Sequence, residues 1–228
     1  MLSSRTKHLE HTLAVLGFNR LGLKAFDLVI DEMCAEKGFT RHNGTHYYYH
    51  LIDVAQKLIN EGIDDEEIIA AALLHDLVED VDKYTIHWVE SEFNSNVAHM
   101  VGLLTKDPDI DYKRDKEALS LYLNLIFENV GASLIKTADR IHNFGTLKDA
   151  SVEKKKRYAM ETEMYFFPFF KKCRKRYVRY ASFWFQAKTE IEPHLREIKE
   201  RYEQEEKLLK QIDTLEKQIK DILNGDYE

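Results

Sequence analysis

An all-α helical bundle carrying one long C-terminal amphipathic helix is the fold this sequence predicts, on three observations. Only 9 Gly and 3 Pro are spread over 228 residues, too few for the many special turns of sandwiches, barrels and Gly-rich nucleotide folds. Apolar residues recur at helical spacing in one segment after another. Nothing between Pro193 and Gly225 breaks a helix. With 44% hydrophobic residues, the chain has the apolar mass for a sizeable core.

The elements follow in order. Residues 21–37 have helical apolar spacing, and Gly38 is the stop. A polar turn over 40–45 leads to a helix over 50–59 that ends at Gly62. Asp64 is the expected N-cap of the next helix, with Glu67 three residues on and the run IIAAALLHDLVED following. A fourth helix starts near Thr85 and carries Trp88, Val89 and Phe93; a fifth carries Val97, Met100, Val101 and Leu104. Residues 106–111 read as a loop. Helices resume over 116–130 and 132–147, and another spans 152–167 up to Pro168. From Glu190 the apolar positions step by 4, 3 and 4 through Ile191, Leu195, Ile198 and Tyr202, then continue through Leu208, Ile212, Leu215, Ile219 and Ile222. That is one amphipathic helix with a stutter near Glu205, on the order of 45 Å long. Its stripe calls for cover from the chain's own core or from a second copy in a homo-oligomer. Two units are expected: 1–170, and 171–228 with the basic aromatic helix and the long helix.

Composition narrows the function classes. Net charge is −7, from 40 acidic and 33 basic residues, which disfavours nucleic acid as main partner. Cys34 and Cys173 have neither the number nor the spacing of a disulfide scaffold or thiolate zinc site. The first twenty residues lack a secretory pattern, and no stretch has the ~20 apolar residues of a membrane helix. A cytoplasmic protein without membrane contact is expected.

The string HDLVED puts four ionisable groups at the end of an apolar helix, with His75 and Glu79, and Asp76 and Asp80, each one turn apart. Burying carboxylates there needs compensation, which a divalent metal supplies. A helix end leaving the core, with Glu79 and Asp80 in water, fits the same string. In IKTADRIHN, Lys136, Asp139 and Asn143 share a face, and Asp139 reads either as a ligand or as the ion-pair partner of Lys136 or Arg140. His50, opening its helix after three tyrosines, reads alone as a packed or capping residue.

Together, the order His50, His75-Asp76, Asp139 resembles the HD metal-dependent phosphohydrolase superfamily. RHNGT over 41–45, AALLHDLVED, LTK over 104–106, IKTADRIHNFGTL and RYAMETEMYFFP are similar to the hydrolase domain of RelA/SpoT-type proteins and of small stand-alone alarmone hydrolases, over residues 20–170. The resemblance implies an HD-domain helical bundle in which His50, His75, Asp76 and Asp139 bind one divalent cation, manganese in the family. Glu79 and Asp80 match the catalytic acidic pair that orients or deprotonates the attacking water. Arg41 matches an arginine that packs on guanine, and Asn143 and Thr146 match residues around the nucleoside. Lys136 joins the substrate side, and Arg140 is expected to support Asp139 from behind. The implied reaction removes pyrophosphate from the 3′ position of ppGpp or pppGpp, leaving GDP or GTP.

The chain departs from the family pattern at His42, where a second basic residue is common, at Leu51, where a proline follows the histidine, and at Gly145, where an arginine precedes the threonine. These changes put the substrate in doubt rather than the chemistry, so an HD phosphohydrolase acting on another nucleotide is the first alternative. A non-catalytic nucleotide-sensing or interaction module is the second. No room is expected after Pro168 for a synthetase domain. Residues 154–179 hold ten basic and two acidic residues and read as a helix with a buried aromatic stripe and a solvated basic face, with a single-strand-binding face or steering of an anionic nucleotide as other readings.

Overall fold

The computed structural model describes residues 3–41 and 43–223, so His42 lies outside the described residues. No helix among them is long and apolar enough to cross a membrane. The helices are α1 (Ser4–Val15), α2 (Gly22–Glu32), α3 (Tyr48–Asn60), α4 (Glu66–Leu74), α5 (Leu77–Asp80), α6 (Ile86–Glu92), α7 (Ser95–Leu104), α8 (Lys116–Phe127), α9 (Val130–Gly145), α10 (Val152–Glu161), α11 (Phe167–Arg176) and α12 (Ala181–Leu223). The described residues contain no strand, only one isolated bridge between Thr40 and His46.

The core forms around α4, in which every residue from Ile68 to Leu74 is buried. A helix apolar on all sides must be covered on all sides, and α2, α3, α7 and α9 do this. Its cap is Asp65 rather than the expected Asp64: the Asp65 carboxylate accepts from the amides of Glu67 and Ile68 at 2.9 and 3.3 Å. Glu67 does not close a capping box but accepts from Asn94 and Asn96 at 2.8 and 2.9 Å. Glu66 accepts from the backbone N–H groups of Arg20, Leu21 and Gly22, and so supplies the start of α2 with the acceptor its own cap residue lacks. The α2 helix stops at Glu32, and a 3-10 turn (Ala35–Lys37) ends at Gly38, whose φ of +91° suits glycine.

Two departures matter for the site. The apolar run does not pass through HDLVED as one helix: it ends at Leu74, turns at His75 and Asp76, and resumes for one turn as α5. The interruption falls between His75 and Leu77, while Asp80 keeps its helical hydrogen bond to the Asp76 carbonyl at 3.0 Å. Further on, α9 comes so close to α4 and α7 that a Cβ on Gly131 would overlap Met100 Sδ and stand 3.1 Å from Ile68 Cγ1. That close seat brings the polar half of α9 over His50 and His75.

The segment expected as one helix over 152–167 is α10, a π-helical turn (Thr162–Phe166) and α11, with Pro168 in the first turn of α11, where its missing N–H is not needed. Phe166, Phe169, Phe170 and Cys173 are buried, while Lys171, Lys172, Arg174, Lys175 and Arg176 are exposed. This is the buried stripe and solvated basic face read from the sequence.

The last helix is longer than expected. It starts at Ala181 and runs 43 residues straight through Pro193. A mid-helix proline costs about 3 kcal/mol, and burying Phe183, Trp184, Ala187 and Ile191 on one face offsets it, at roughly 1.5–3 kcal/mol for each large side chain. Trp184 Nε1 donates to Thr137 Oγ1 at 2.9 Å, which fastens the helix to α9. The stripe then divides: Ile191 and Leu195 are buried, Ile198 and Tyr202 partly so, whereas Leu208, Ile212, Leu215, Ile219 and Ile222 are exposed.

Candidate functional site

Three segments meet where α3 begins, where α4 turns into α5, and where α9 becomes polar. One ligand atom each from His50, His75 and Asp76 lies within 4.8 Å of the others. Asp139 joins from α9, with its Oδ1 3.3 Å from His50 Nε2. His75 is fully buried, and its Nδ1 donates to the carbonyl of Ala72 at 2.7 Å. That bond leaves Nε2 as a bare lone pair, and Nε2 has no hydrogen-bond partner among the described residues. A buried acceptor with nothing to accept from is costly, and a bound cation would satisfy it. Two imidazoles and two carboxylates suit a borderline-to-hard divalent ion, so these residues fit the expected metal.

Each ligand is held by a further group. Tyr47 donates its hydroxyl to Asp76 Oδ2 at 2.7 Å. Lys136 donates to Asp139 Oδ2 at 3.0 Å, and Asn143 to Asp139 Oδ1 at 2.5 Å. Burial alone would raise the Asp139 carboxyl, but Lys136 and His50 beside it hold it well below the usual range. Burial pushes His50 down to about 4, against the pull of Asp139 and Asp76. Both ligands are thus in the forms a metal takes: ionised carboxylate and neutral imidazole.

The cluster opens into a cavity of about 380 Å³. Glu79 and Asp80 stand at its edge but differ. Glu79 is tied to Lys106, accepting its backbone N–H at 3.2 Å with Nζ 3.5 Å away. Asp80 makes no ion pair among the described residues, and withdrawal from water together with Asp76 and Glu79 pushes its carboxyl up to about 6. The cavity is also lined by the cations Arg41, Lys113, Lys154 and Arg157. Burial, and then Arg41, Arg157 and Lys113, hold the Lys154 ammonium below its ordinary value. Cations crowded in this way are relieved by an anion.

The structure brings Arg41, Asn143 and Thr146 together as expected: an Arg41 guanidinium nitrogen donates to Thr146 Oγ1 at 3.0 Å and to Asn143 Oδ1 at 3.4 Å. Two expectations change. Arg140 does not back Asp139. Its Nε donates to Thr162 Oγ1 at 2.9 Å, a terminal nitrogen donates to the Tyr158 carbonyl, and the guanidinium lies 4.0 Å over the Phe166 ring. It fastens α9 to α10 and the π-helical turn, which carry the acceptors Tyr158 and Thr162, while Asp139 has Lys136. Lys136, expected on the substrate side, is taken up by Asp139 while still bordering the cavity.

Sequence reasoning missed Tyr47, Asp53 and the role of His142. The spacing of Tyr47 from His50 was the only available signal for the first. His142 lies in the recognised string, but Asp53 reaches it across 89 residues, which no local pattern shows. Of the departures, Leu51 is fully buried in α3, and a Cβ on Gly145 would meet nothing within 4 Å.

A family model for the HD domain matches residues 25–172. The guanosine-3′,5′-bis(diphosphate) 3′-pyrophosphohydrolase of Aquifex aeolicus (strain VF5) is 40% identical over 125 residues, covering 54% of this chain and 17% of that protein. The bifunctional (p)ppGpp synthase/hydrolase SpoT of Escherichia coli (strain K12) is 34% identical over 132 residues, with 56% and 18% covered. The chain therefore spans less than a fifth of the length of these curated relatives. A solved structure of a metazoan ortholog of SpoT that hydrolyses ppGpp aligns over 89% of this chain and 97% of that one, with a TM-score of 0.49 and 23% identity. The family match takes in more than half of this chain and every residue of the cluster described above, from Arg41 to Arg157: the chain belongs to the HD-domain family.

Proposed function

We propose that this chain is a divalent-metal-dependent phosphohydrolase that removes pyrophosphate from the 3′ position of ppGpp or pppGpp, giving GDP or GTP. One observation carries the proposal: one cavity is lined both by His50, Asp76 and Asp139, which with buried His75 suit a cation, and by the crowded cations Arg41, Lys113, Lys154 and Arg157, which suit phosphate. The relatives named for guanosine 3′-pyrophosphohydrolysis support the choice of nucleotide.

Manganese is the proposed ion, in keeping with mixed imidazole and carboxylate donors. When bound, it supplies positive charge against a phosphoryl oxygen and acidifies water. The protein supplies the rest. Asp80, with its carboxyl near 6, accepts a proton from the attacking water near neutral pH. Glu79, fixed by Lys106, orients that water. Water forms the new bond to the phosphorus carried by the 3′ oxygen, the phosphorus–O3′ bond breaks, and a proton returns to O3′. Arg41 faces the base, with Asn143 and Thr146 holding its guanidinium. Lys113, Lys154 and Arg157 receive phosphate charge, and bringing cations to that charge stabilises it as it shifts. A cytoplasmic setting belongs to the same proposal.

The test is incubation of the purified chain with a mixed nucleotide pool and Mn2+, with chromatographic identification of products. GDP and pyrophosphate from ppGpp, abolished by Asp76→Ala, are the expected result. Faster turnover of another nucleotide would replace the substrate and keep the chemistry. No turnover of any, with Mn2+ bound, would leave a sensing module.

A further inference from the structure

Behind His50, away from the cavity, lies a line of polar groups that the proposed reaction does not use. Asp53 Oδ2 is 3.2 Å from His142 Nε2, and His142 Nδ1 is 2.8 Å from His50 Nδ1. The same Asp53 oxygen accepts from Arg5 of α1 at 2.9 Å. We propose that Asp53 and His142, steadied by Arg5, are positioning residues that hold His50 as the Nδ1–H tautomer and so keep its Nε2 bare for a divalent cation. The inference rests on the metal reading of the cluster.

The argument is one of donors and acceptors. A carboxylate only accepts, so neutral His142 gives its single N–H, on Nε2, to Asp53. Its Nδ1 is then an acceptor. Two ring nitrogens 2.8 Å apart need one donor between them, and His50 Nδ1 must be that donor. The bare nitrogen of His50 is then Nε2, 3.3 Å from Asp139 Oδ1 and 3.6 Å from Asp76 Oδ2. His75 reaches the same state by a different route, with the Ala72 carbonyl in place of a side chain. The carbonyl that stands to His50 as Ala72 stands to His75, that of Tyr47, accepts the backbone N–H of His50 at 2.9 Å. A side chain from α9 takes that place, and Asp53, one turn along α3, fixes its tautomer. Partners behind ligating imidazoles commonly set ring orientation and basicity. Arg5, on α1, lies outside the residues matched by the family model.

Two measurements on the full chain at pH 8 test this. Long-range 1H–15N spectra of histidine in metal-free protein should show His50 protonated at Nδ1 and His142 at Nε2. Calorimetric titration with Mn2+ should show His142→Phe, which fills the space but offers no acceptor, binding about 10- to 100-fold more weakly. His142→Asn, whose amide oxygen can accept from His50, should recover most of that loss. Asp53→Leu should weaken binding, while Asp53→Asn, with an amide oxygen in the place that serves both Arg5 and His142, should stay near the parent. A packing role predicts the reverse order, with Phe and Leu tolerated. If His142→Phe does not fold, the two Asp53 variants carry the comparison. His50 protonated at Nε2, or Asp53→Leu and His142→Phe binding Mn2+ as the parent does, would overturn the proposal. A parent chain that binds no divalent cation sinks the metal reading instead, and the metal-free spectra still judge the tautomer.

Discussion

At one end of the cavity His50, His75, Asp76 and Asp139 are buried or nearly so, and each is held by a partner of its own. At the other end Arg41, Lys113, Lys154 and Arg157 reach in from three separate segments on long, partly exposed side chains. The first group is held by hydrogen bonds within the fold before any ligand arrives. The second is a field made by several charges, of which Arg41 is held by Thr146 and Asn143 and Arg157 lies 3.8 Å from Glu161, and all of which are screened by salt. A preset cluster fails when one member goes, whereas a field weakens by degrees.

That contrast orders the expected effects of mutation. Asp76→Ala should weaken Mn2+ binding by more than the ~100-fold that supporting groups are worth, read by calorimetry, and should abolish turnover. Binding within tenfold of the parent would mean the cluster is not preset. Asp80→Asn should lower kcat by about 10²–10⁴ with little change in KM. The parent's kcat should fall as pH drops through about 6, where the Asp80 carboxyl takes up its proton. Stability carries the opposite sign. Because the folded value lies above the ordinary 3.8, the stabilising contribution of protonated Asp80 is complete at low pH and is lost as pH rises through about 6. Asp80→Asn should therefore raise Tm at pH 7.5 and leave it unchanged at pH 3.5, by calorimetric melting.

At the cationic end, Arg157→Ala and Lys154→Ala should each raise KM by about tenfold, near 1.4 kcal/mol, leave Mn2+ binding alone, and shrink in effect as salt rises. A salt-independent effect on kcat would show that these side chains belong to the preset part. The smallest effect is expected far from both ends. Removing residues 204–228, beyond the packed half of α12, should leave kcat/KM unchanged. The homo-oligomer expected through the exposed stripe should be lost, which sedimentation velocity would show.

Much of this was legible in the sequence, for reasons that differ by element. Helices α3, α6, α7, α8 and α9 lie close to where apolar spacing puts them, because each buries one stripe against a neighbour and carries its own side-chain cap or glycine stop, as Thr85, Asn94 and Gly62 do. The ligand strings were legible because four residues of such chemistry rarely follow in that order. The break at His75-Asp76 was not legible, since the run holds no Gly or Pro to interrupt a helix. Nor was the passage of α12 through Pro193, where distant contacts of Phe183 and Trp184 outweigh a local cost. Arg140 could be placed on α9 but not given its partners, because Thr162 and Tyr158 lie about twenty residues away, whereas the pair of Lys136 with Asp139 was one of the open readings.

The sequence by itself determined the all-α class, the site strings and their order, because helical period and ionisable residues in apolar runs are local properties. The tertiary structure decided which carboxylate is paired and which is not, which nitrogen of each histidine faces the cluster, and where the long helix leaves the body. Those depend on hydrogen bonds and burial between segments up to 133 residues apart, as between Lys57 and Glu190, and only the packed fold sets such distances.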